Sequence, residues 1–342
     1  MEDLLGTTAS ILQSTIRNAT PLIFAALGGL FSERSGVVNI GLEGLMLISA
    51  FAGVVGAHFT GSALVGLATA LGAGLIFALI HALMCITFEA DQIISGTAIN
   101  LLALGGTGFL MVTIFGSGGT SPRVDGFGSV AVPLLADIPV IGAALFDQSL
   151  LVYLMYVLIP VVYFVVFRTT FGLRLRATGE VPEAVDTAGV NVQRMRYYGV
   201  ALSGLLAACG GVYLSMGLLT AFTENMTGGR GFIALAALIF GRWNPIGAAG
   251  AALLFGFAQA ITFRVSEQTV PIEFIQMFPF ILTIVVLAGF GGRAIAPAAI
   301  GKPYRKEKPP RTRPSCPARA CWEAHSREFP PRIGPRGTRR RP

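Results

Sequence analysis

The chain repeats apolar segments long enough to cross a lipid bilayer, and this feature constrains its fold more than any other. We identify nine of them, at residues 7–30, 40–57, 62–88, 92–115, 149–167, 197–218, 230–240, 246–263 and 273–290. A helix needs about 20 predominantly apolar residues to cross the hydrocarbon core. Charged residues make up only 13% of the chain, about half of their share in soluble domains. The sequence therefore predicts an all-α, polytopic membrane protein with about nine (eight to ten) transmembrane segments.

Two of these segments recur later in the chain. AALGG at 25–29 returns as AACGG at 207–211, and GLATALGAGLIFALI at 66–80 resembles GAAGAALLFGFAQAI at 247–261. Five segments separate the copies, so the second copy starts from the opposite side of the membrane. We therefore predict an inverted repeat, an arrangement that places the transport site of many transporters at the repeat interface.

The distribution of arginine predicts the orientation of the chain. The loop at about 168–196 contains five arginines, whereas residues 116–148 contain Arg123 as their only basic residue. Because short cytoplasmic loops are enriched in Lys and Arg, we place the first loop in the cytoplasm and the second outside.

A change in composition divides the chain into two domains. Residues 1–300 carry 12 basic and 15 acidic residues, whereas residues 301–342 carry 13 basic and three acidic ones. The positive charge thus belongs to the tail, and we predict no nucleic-acid partner for the transmembrane domain, 1–300. The Pro/Arg-rich tail, 301–342, has too little apolar surface to fold and is predicted to be disordered. Contact with anionic lipids and an altered reading frame with no selected role are alternative explanations of this tail.

Enzymatic and cofactor-binding motifs are missing. The chain has no lysine before Lys302, so it lacks the phosphate-binding lysine of a P-loop. Its three histidines show no metal-ligand spacing, and His81 is interpreted as a buried core residue. Hydrolase signatures such as G-x-S-x-G are also absent. We therefore predict that the chain is not an enzyme and uses no metal or cofactor of its own.

The loop at 168–196 contains the pattern of a docking element. Pro182 and Glu183 form a helix start and Gly189 a helix stop, although an ordinary charged loop would look much the same. The loop resembles the coupling loop of ATP-binding-cassette permeases of the ribose and branched-chain amino acid type. The resemblance implies a role in coupling to an ATPase for Gly172, Arg176, Gly179, Glu180, Glu183, Ala184 and Gly189.

Three further motifs, in the expected order, resemble the nucleoside-type subfamily of these permeases. They are LFSERSGVVNIGLEGLMLISAFAG at 30–53, DQIISGTAINLLA at 91–103 and GGRGFIALAALIFGRWNPIGA at 228–248. That subfamily works with basic-membrane-lipoprotein binding proteins. The resemblance implies a permease subunit in the inner membrane, a cytoplasmic ABC ATPase that uses the ATP, a second homologous permease subunit and an extracytoplasmic binding lipoprotein.

Polar side chains within these segments are candidates for the translocation pathway. Asn39 and Glu43 are four residues apart and share a face of a helix, so we expect them to face the bundle interior. An equally open alternative is that they fix helix packing through hydrogen bonds. Glu33 and Arg34 are expected at the cytoplasmic end of the first segment, where their charge costs little. The other candidates are Gln92, Thr97, Asn100 and Gln259.

Three alternatives to a nucleoside importer remain at this point. The first keeps the architecture and transports a simple sugar or a branched-chain amino acid. The second is an ion-coupled secondary transporter that works alone, and the third is a membrane scaffold that transports nothing. The docking loop disfavours the second, and the polar helix faces disfavour the third.

Overall fold

The computed structural model describes residues 2–116, 118–133, 141–262, 277, 281 and 296–305. The described residues up to Tyr304 belong to one compact unit. The helices are α1 (Glu2–Arg34), α2 (Leu42–Thr60), α3 (Ala63–Ala82), α4 (Gln92–Phe115), α5 (Ile141–Phe146), α6 (Leu150–Arg168), α7 (Thr170–Glu180), α8 (Pro182–Thr187), α9 (Val192–Val212), α10 (Arg230–Phe240) and α11 (Pro245–Thr262). Short π-helical turns, Leu83–Thr87 and Tyr213–Leu218, extend α3 and α9.

Local sequence explains where several helices begin and end. The Asp91 carboxylate accepts hydrogen bonds from the backbone N–H groups of Ile93 and Ile94 and so caps α4. Asn191 caps α9 in the same way. The helix predicted from Pro182 is confirmed as α8, with proline in its first turn.

Six helices within the described residues are long and apolar enough to cross a membrane: Leu42–Thr60, Ala63–Thr87, Gln92–Phe115, Leu150–Arg168, Val192–Leu218 and Pro245–Thr262. α1 contains the first predicted segment but is not one of these six helices. The polar residues Arg17, Asn18 and Thr20 lie within it. The seventh segment is the short helix α10, as expected. The ninth, 273–290, lies outside the described residues apart from positions 277 and 281, so the total of about nine stays a prediction.

The helices differ in how far they are surrounded by protein. The spans of α2 and α9 are 72% and 83% buried, whereas those of α3 and α4 are each 22% buried. α2 and α9 therefore form the centre together with α1, while α3, α4 and α6 present apolar side chains outward. α1 and α9 approach each other closely, since a Cβ atom at Gly28 would lie 2.8 Å from the Ser203 carbonyl oxygen. Small residues permit such backbone contact between membrane helices.

The described residues are mostly helical, in agreement with the predicted all-α class, and one small sheet is added to the helices. The loop predicted to lie outside contains two short strands, β1 (Ser129–Ala131) and β2 (Asp147–Ser149). They pair antiparallel, with Ser129 opposite Ser149. These three-residue strands are too short to show an alternating pattern in sequence, and it is their mutual pairing that satisfies their backbone groups.

Candidate functional site

The connection between α1 and α2, residues 35–41, is a non-helical segment that is almost completely buried. Asn39 within it is 0% exposed, and its side-chain amide donates a hydrogen bond of 2.9 Å to the Ser203 hydroxyl of α9. The Asn39 carbonyl Oδ1 has no partner among the described residues. The polar residues near position 39 therefore lie inside the bundle, as expected.

Side chains of α3 and α4 satisfy the backbone of this buried connection. The Val38 N–H donates to Gln92 Oε1 at 2.6 Å, and His81 Nε2 donates to the Val38 carbonyl at 3.0 Å. The second ring nitrogen, Nδ1, accepts from the Ser95 hydroxyl at 3.0 Å. The interpretation of His81 as a buried core residue is confirmed, since it is 0% exposed.

Asn100 completes the support at the start of α2. Its amide nitrogen donates to the Ile40 carbonyl at 3.1 Å, and its Oδ1 accepts from the Gly44 N–H at 2.8 Å. Thr97 is not part of this arrangement, because it is exposed and its hydroxyl donates to the Ile93 carbonyl of its own helix. Gln259 lies apart in α11, and its Oε1 is buried without a partner among the described residues.

The Glu43 carboxylate caps the N-terminus of the short helix α10. Its two oxygens accept hydrogen bonds from the Gly229 N–H at 2.8 Å and the Gly231 N–H at 2.6 Å. The first N–H groups of a helix have no partner within the helix, and a negative charge there is stabilising. A Cβ atom at Gly231 would lie 2.5 Å from the Glu43 backbone nitrogen, so only glycine permits this approach.

The other end of α10 is held by the end of α1. Glu33 Oε2 accepts a hydrogen bond of 2.5 Å from the Trp243 indole, and Arg34 donates two hydrogen bonds, of 3.1 and 2.8 Å, to the Trp243 carbonyl. Glu33 is only 5% exposed, which corrects the expectation that its charge costs little at a membrane boundary. The α1–α2 region therefore binds α10 at both ends. The sequence showed Glu33, Glu43 and the GRWNP turn as unusual polar features of an apolar chain. It did not indicate that Glu33 binds Trp243 or that Glu43 binds the start of α10.

The predicted coupling residues fall into two groups. Three of them connect the loop to the rest of the protein: Gly172 packs on the end of α6, the Arg176 guanidinium stacks 5.0 Å from the Phe167 ring centre, and Gly179 packs against the Arg34 carbonyl. The Gly179 carbonyl also accepts a hydrogen bond of 2.9 Å from the Ala299 N–H.

The second group faces outward. Glu180, Glu183, Ala184 and Gly189 are exposed, although Glu180 also accepts a hydrogen bond of 3.2 Å from the Ala298 N–H. α7 and α8 enclose an apolar groove of about 370 Å³, with Ala177, Glu180 and Ala184 among its lining residues. Within the described ranges, no three His, Cys, Asp or Glu side chains lie together as a metal site.

Comparison with known proteins identifies the family. The model of the branched-chain amino acid transport system / permease component family matches residues 11–287. The chain is 46% identical to the guanosine ABC transporter permease protein NupQ of Bacillus subtilis, over 90% of this chain and 99% of that protein. It is 42% identical to the nucleoside ABC transporter permease protein NupC of Lactococcus lactis, over 90% and 100%.

A putative glucose ABC transporter permease, TsgC13 of Haloferax volcanii, is 37% identical over 78% of this chain and 80% of its own length. A solved structure described as an inward-facing, putative metal-chelate type ABC transporter covers 83% of this chain and 84% of its own, at 16% identity. Its TM-score of 0.41 is too low to establish a shared fold. The family match and the relatives at 37–46% identity agree with one another. The chain is a multi-pass protein of the cell membrane and belongs to the permease family of ABC transporters of the branched-chain amino acid type.

Proposed function

We propose that the chain is the membrane-spanning permease subunit of an ABC importer for nucleosides. The observation that carries this proposal is 42–46% identity, over 90% of the chain, to permeases named for guanosine and nucleoside transport. In this proposal a separate cytoplasmic ATPase hydrolyses ATP, a second homologous permease subunit completes the pathway, and an extracytoplasmic lipoprotein delivers the solute.

The ATPase is proposed to dock on the groove between α7 and α8. The groove is apolar, and exposed Glu180 and Ala184 are among its lining residues. α7 is also tied to the end of α1 through Gly179, and α1 in turn binds α10 through Trp243. Movement of the loop would therefore be transmitted to α1 and α10.

The buried connection at 35–41 is proposed to lie beside the pathway, with Asn39, Gln92 and Asn100 as its polar groups. Asn39 Oδ1, which has no hydrogen-bond partner in the part of the chain that the structure describes, supports this placement. Glu43 contributes by holding α10, and Thr97 and Gln259 remain candidates on separate surfaces.

The inverted repeat is also part of the proposal. If α1 corresponds to α9 and α3 to α11, the contact of α1 with α11 is equivalent to the contact of α9 with α3. Both contacts are extensive. α1 and α9 run antiparallel, since Gly199 packs on Phe31 whereas Gly210 packs on Pro21, and this direction agrees with an inverted relation.

Reconstitution tests the function. Liposomes that contain this chain, the second permease, the ATPase and the lipoprotein should take up radiolabelled guanosine only with internal ATP, and the chain alone should take up none. Uptake by the chain alone in an ion gradient would contradict the proposal. Glucose uptake without guanosine uptake would favour the sugar permease, to which the 37% identity to TsgC13 points.

A further inference from the structure

A polar cavity of about 200 Å³ lies at the end of the subunit opposite the α7–α8 groove. Arg17, Ser129, Gln148, Ser149 and Tyr213 are among its lining residues. Arg17 precedes Arg34 by 17 residues on α1, which corresponds to about 25 Å along a helix axis. Since the hydrocarbon core is about 30 Å thick and Arg34 lies beside α7, the cavity is near the far membrane boundary. The arginine distribution makes that boundary the outer one.

The cavity has a fixed polar wall. Gln148 is 1% exposed, and its amide nitrogen donates a hydrogen bond of 2.7 Å to the Ala144 carbonyl. Its Oε1 accepts from Arg17 Nε at 3.3 Å. Strand β2, which contains Gln148, is paired with β1, and the Ser149 hydroxyl donates to the Phe127 carbonyl at 3.1 Å. The side chains therefore hold their positions without a ligand.

Most N–H donors of the Arg17 guanidinium make no hydrogen bond within the described residues. Arginine has five N–H donors in a planar fork, and in the described part of the chain only Nε has a hydrogen-bond partner, Gln148. No carboxylate there pairs with it. A charged side chain this close to the hydrocarbon is costly and usually functional. Arg17 is half-buried, so its Nη atoms are open to water or to a ligand with hydrogen-bond acceptors.

We propose that this cavity is an outer subsite that binds the base of a nucleoside, an inference that rests on the proposed function. The volume is below the roughly 300 Å³ of a site for a drug-sized molecule, so it suits one ring system and leaves the ribose outside. An arginine fork pairs with two adjacent acceptors, as it does with O6 and N7 of guanine. Adenine places an amino donor where guanine has O6. The subsite therefore favours guanosine and inosine over adenosine.

The first test measures binding directly. The purified full chain in lipid nanodiscs is mixed with guanosine, inosine or adenosine, and saturation-transfer NMR reports which protons contact the protein. We expect strong transfer to the base protons of guanosine and inosine, weaker transfer to the ribose, and little to adenosine. Equal transfer to all three nucleosides, or transfer to the ribose alone, would overturn the proposal.

Variants then assign the signal to the cavity. Arg17→Gln should lower guanosine binding about tenfold, the effect of losing roughly 1.4 kcal/mol of binding free energy. Arg17→Lys keeps the charge but not the fork, so it should retain weak binding and lose the preference over adenosine. Arg123→Gln is the matched control. Arg123 is exposed and belongs to the loop predicted to lie outside, which also supplies Ser129 and Gln148, but it is not among the residues that line the cavity. Unchanged guanosine binding in a folded Arg17→Gln variant would refute the site.

The complete importer separates this proposal from the proposed function. If the wild-type importer takes up no nucleoside, the proposed function fails. If it takes up guanosine and Arg17→Gln binds and transports guanosine normally, the function stands and the subsite is wrong. If Arg17→Gln instead loses only its association with the lipoprotein, the cavity is a docking point for that protein and the subsite is again wrong.

Discussion

Replacement of Glu43 by glutamine should loosen α10 without unfolding the rest of the protein. Glu43 is 8% exposed, and its carboxylate accepts one hydrogen bond from Gly229 and one from Gly231. Glutamine keeps the size of the side chain, but it offers one acceptor and turns an amino group toward the other N–H. Two backbone donors then compete for a single oxygen, and the negative charge at the helix N-terminus is lost.

The size of the effect follows from these two losses. A hydrogen bond to a charged group contributes about 1.5–3 kcal/mol, and a charge at a helix N-terminus about 0.3–1 kcal/mol. Together they predict that opening of the first turn of α10 becomes easier by about 2–4 kcal/mol. Since 1.4 kcal/mol is a factor of ten in an equilibrium constant, the open population should rise about 30- to 700-fold.

Hydrogen–deuterium exchange of peptides that cover residues 229–233 measures this population. The control is Glu224→Gln, because Glu224 also accepts a backbone hydrogen bond, from Gly119 at 3.1 Å, but is exposed. Its exchange at 229–233 should match that of the wild type. We expect Glu43→Gln to retain ATPase association and to alter uptake. Unchanged exchange at 229–233 in Glu43→Gln would show that the carboxylate does not hold α10.

Three further changes test the coupling surface, the C-terminal boundary and the helix packing. Ala184→Arg should weaken ATPase pull-down and uptake together while the helices stay folded, since a bulky charge does not fit an apolar groove; full ATPase association would rule out docking there. Truncation after Tyr304 should leave uptake unchanged. Truncation after Ala298 removes Gly301, whose N–H donates to the Gly36 carbonyl at 3.1 Å, and should lower thermal stability. Equal thermal stability of the two truncated proteins would contradict a structural role for residues 299–304. Gly28→Val should lower the free energy of unfolding by about 1–3 kcal/mol through overpacking against α9, measured as a fall in melting temperature, and an unchanged melting temperature would refute the close contact.

Those parts of the structure that depend on residues close together in the chain could be predicted from the sequence. Apolar length located the six long spans, because a helix needs about 20 predominantly apolar residues to cross the hydrocarbon core. A shorter apolar run located α10. Proline at 182 and glycine at 189 bounded α8, since each acts on its own dihedral angles. The family, too, was identified from motifs that stand in sequence.

The partners of the polar side chains could be recognised only in the tertiary structure. Asn39 and Glu43 were expected on one helical face, but the chain is non-helical at 39. Asn39 bonds Ser203, 164 residues away, and Glu43 bonds Gly231, 188 residues away. Nothing local specifies such partners, because a carboxylate accepts any N–H that the packing of distant helices brings within reach. The sequence by itself determined which segments are long and apolar enough to cross a membrane and where polar groups interrupt them. The packing of α1, α2, α9 and α10 decided what Asn39 and Glu43 bind, because their hydrogen bonds join parts of the chain that are distant in sequence.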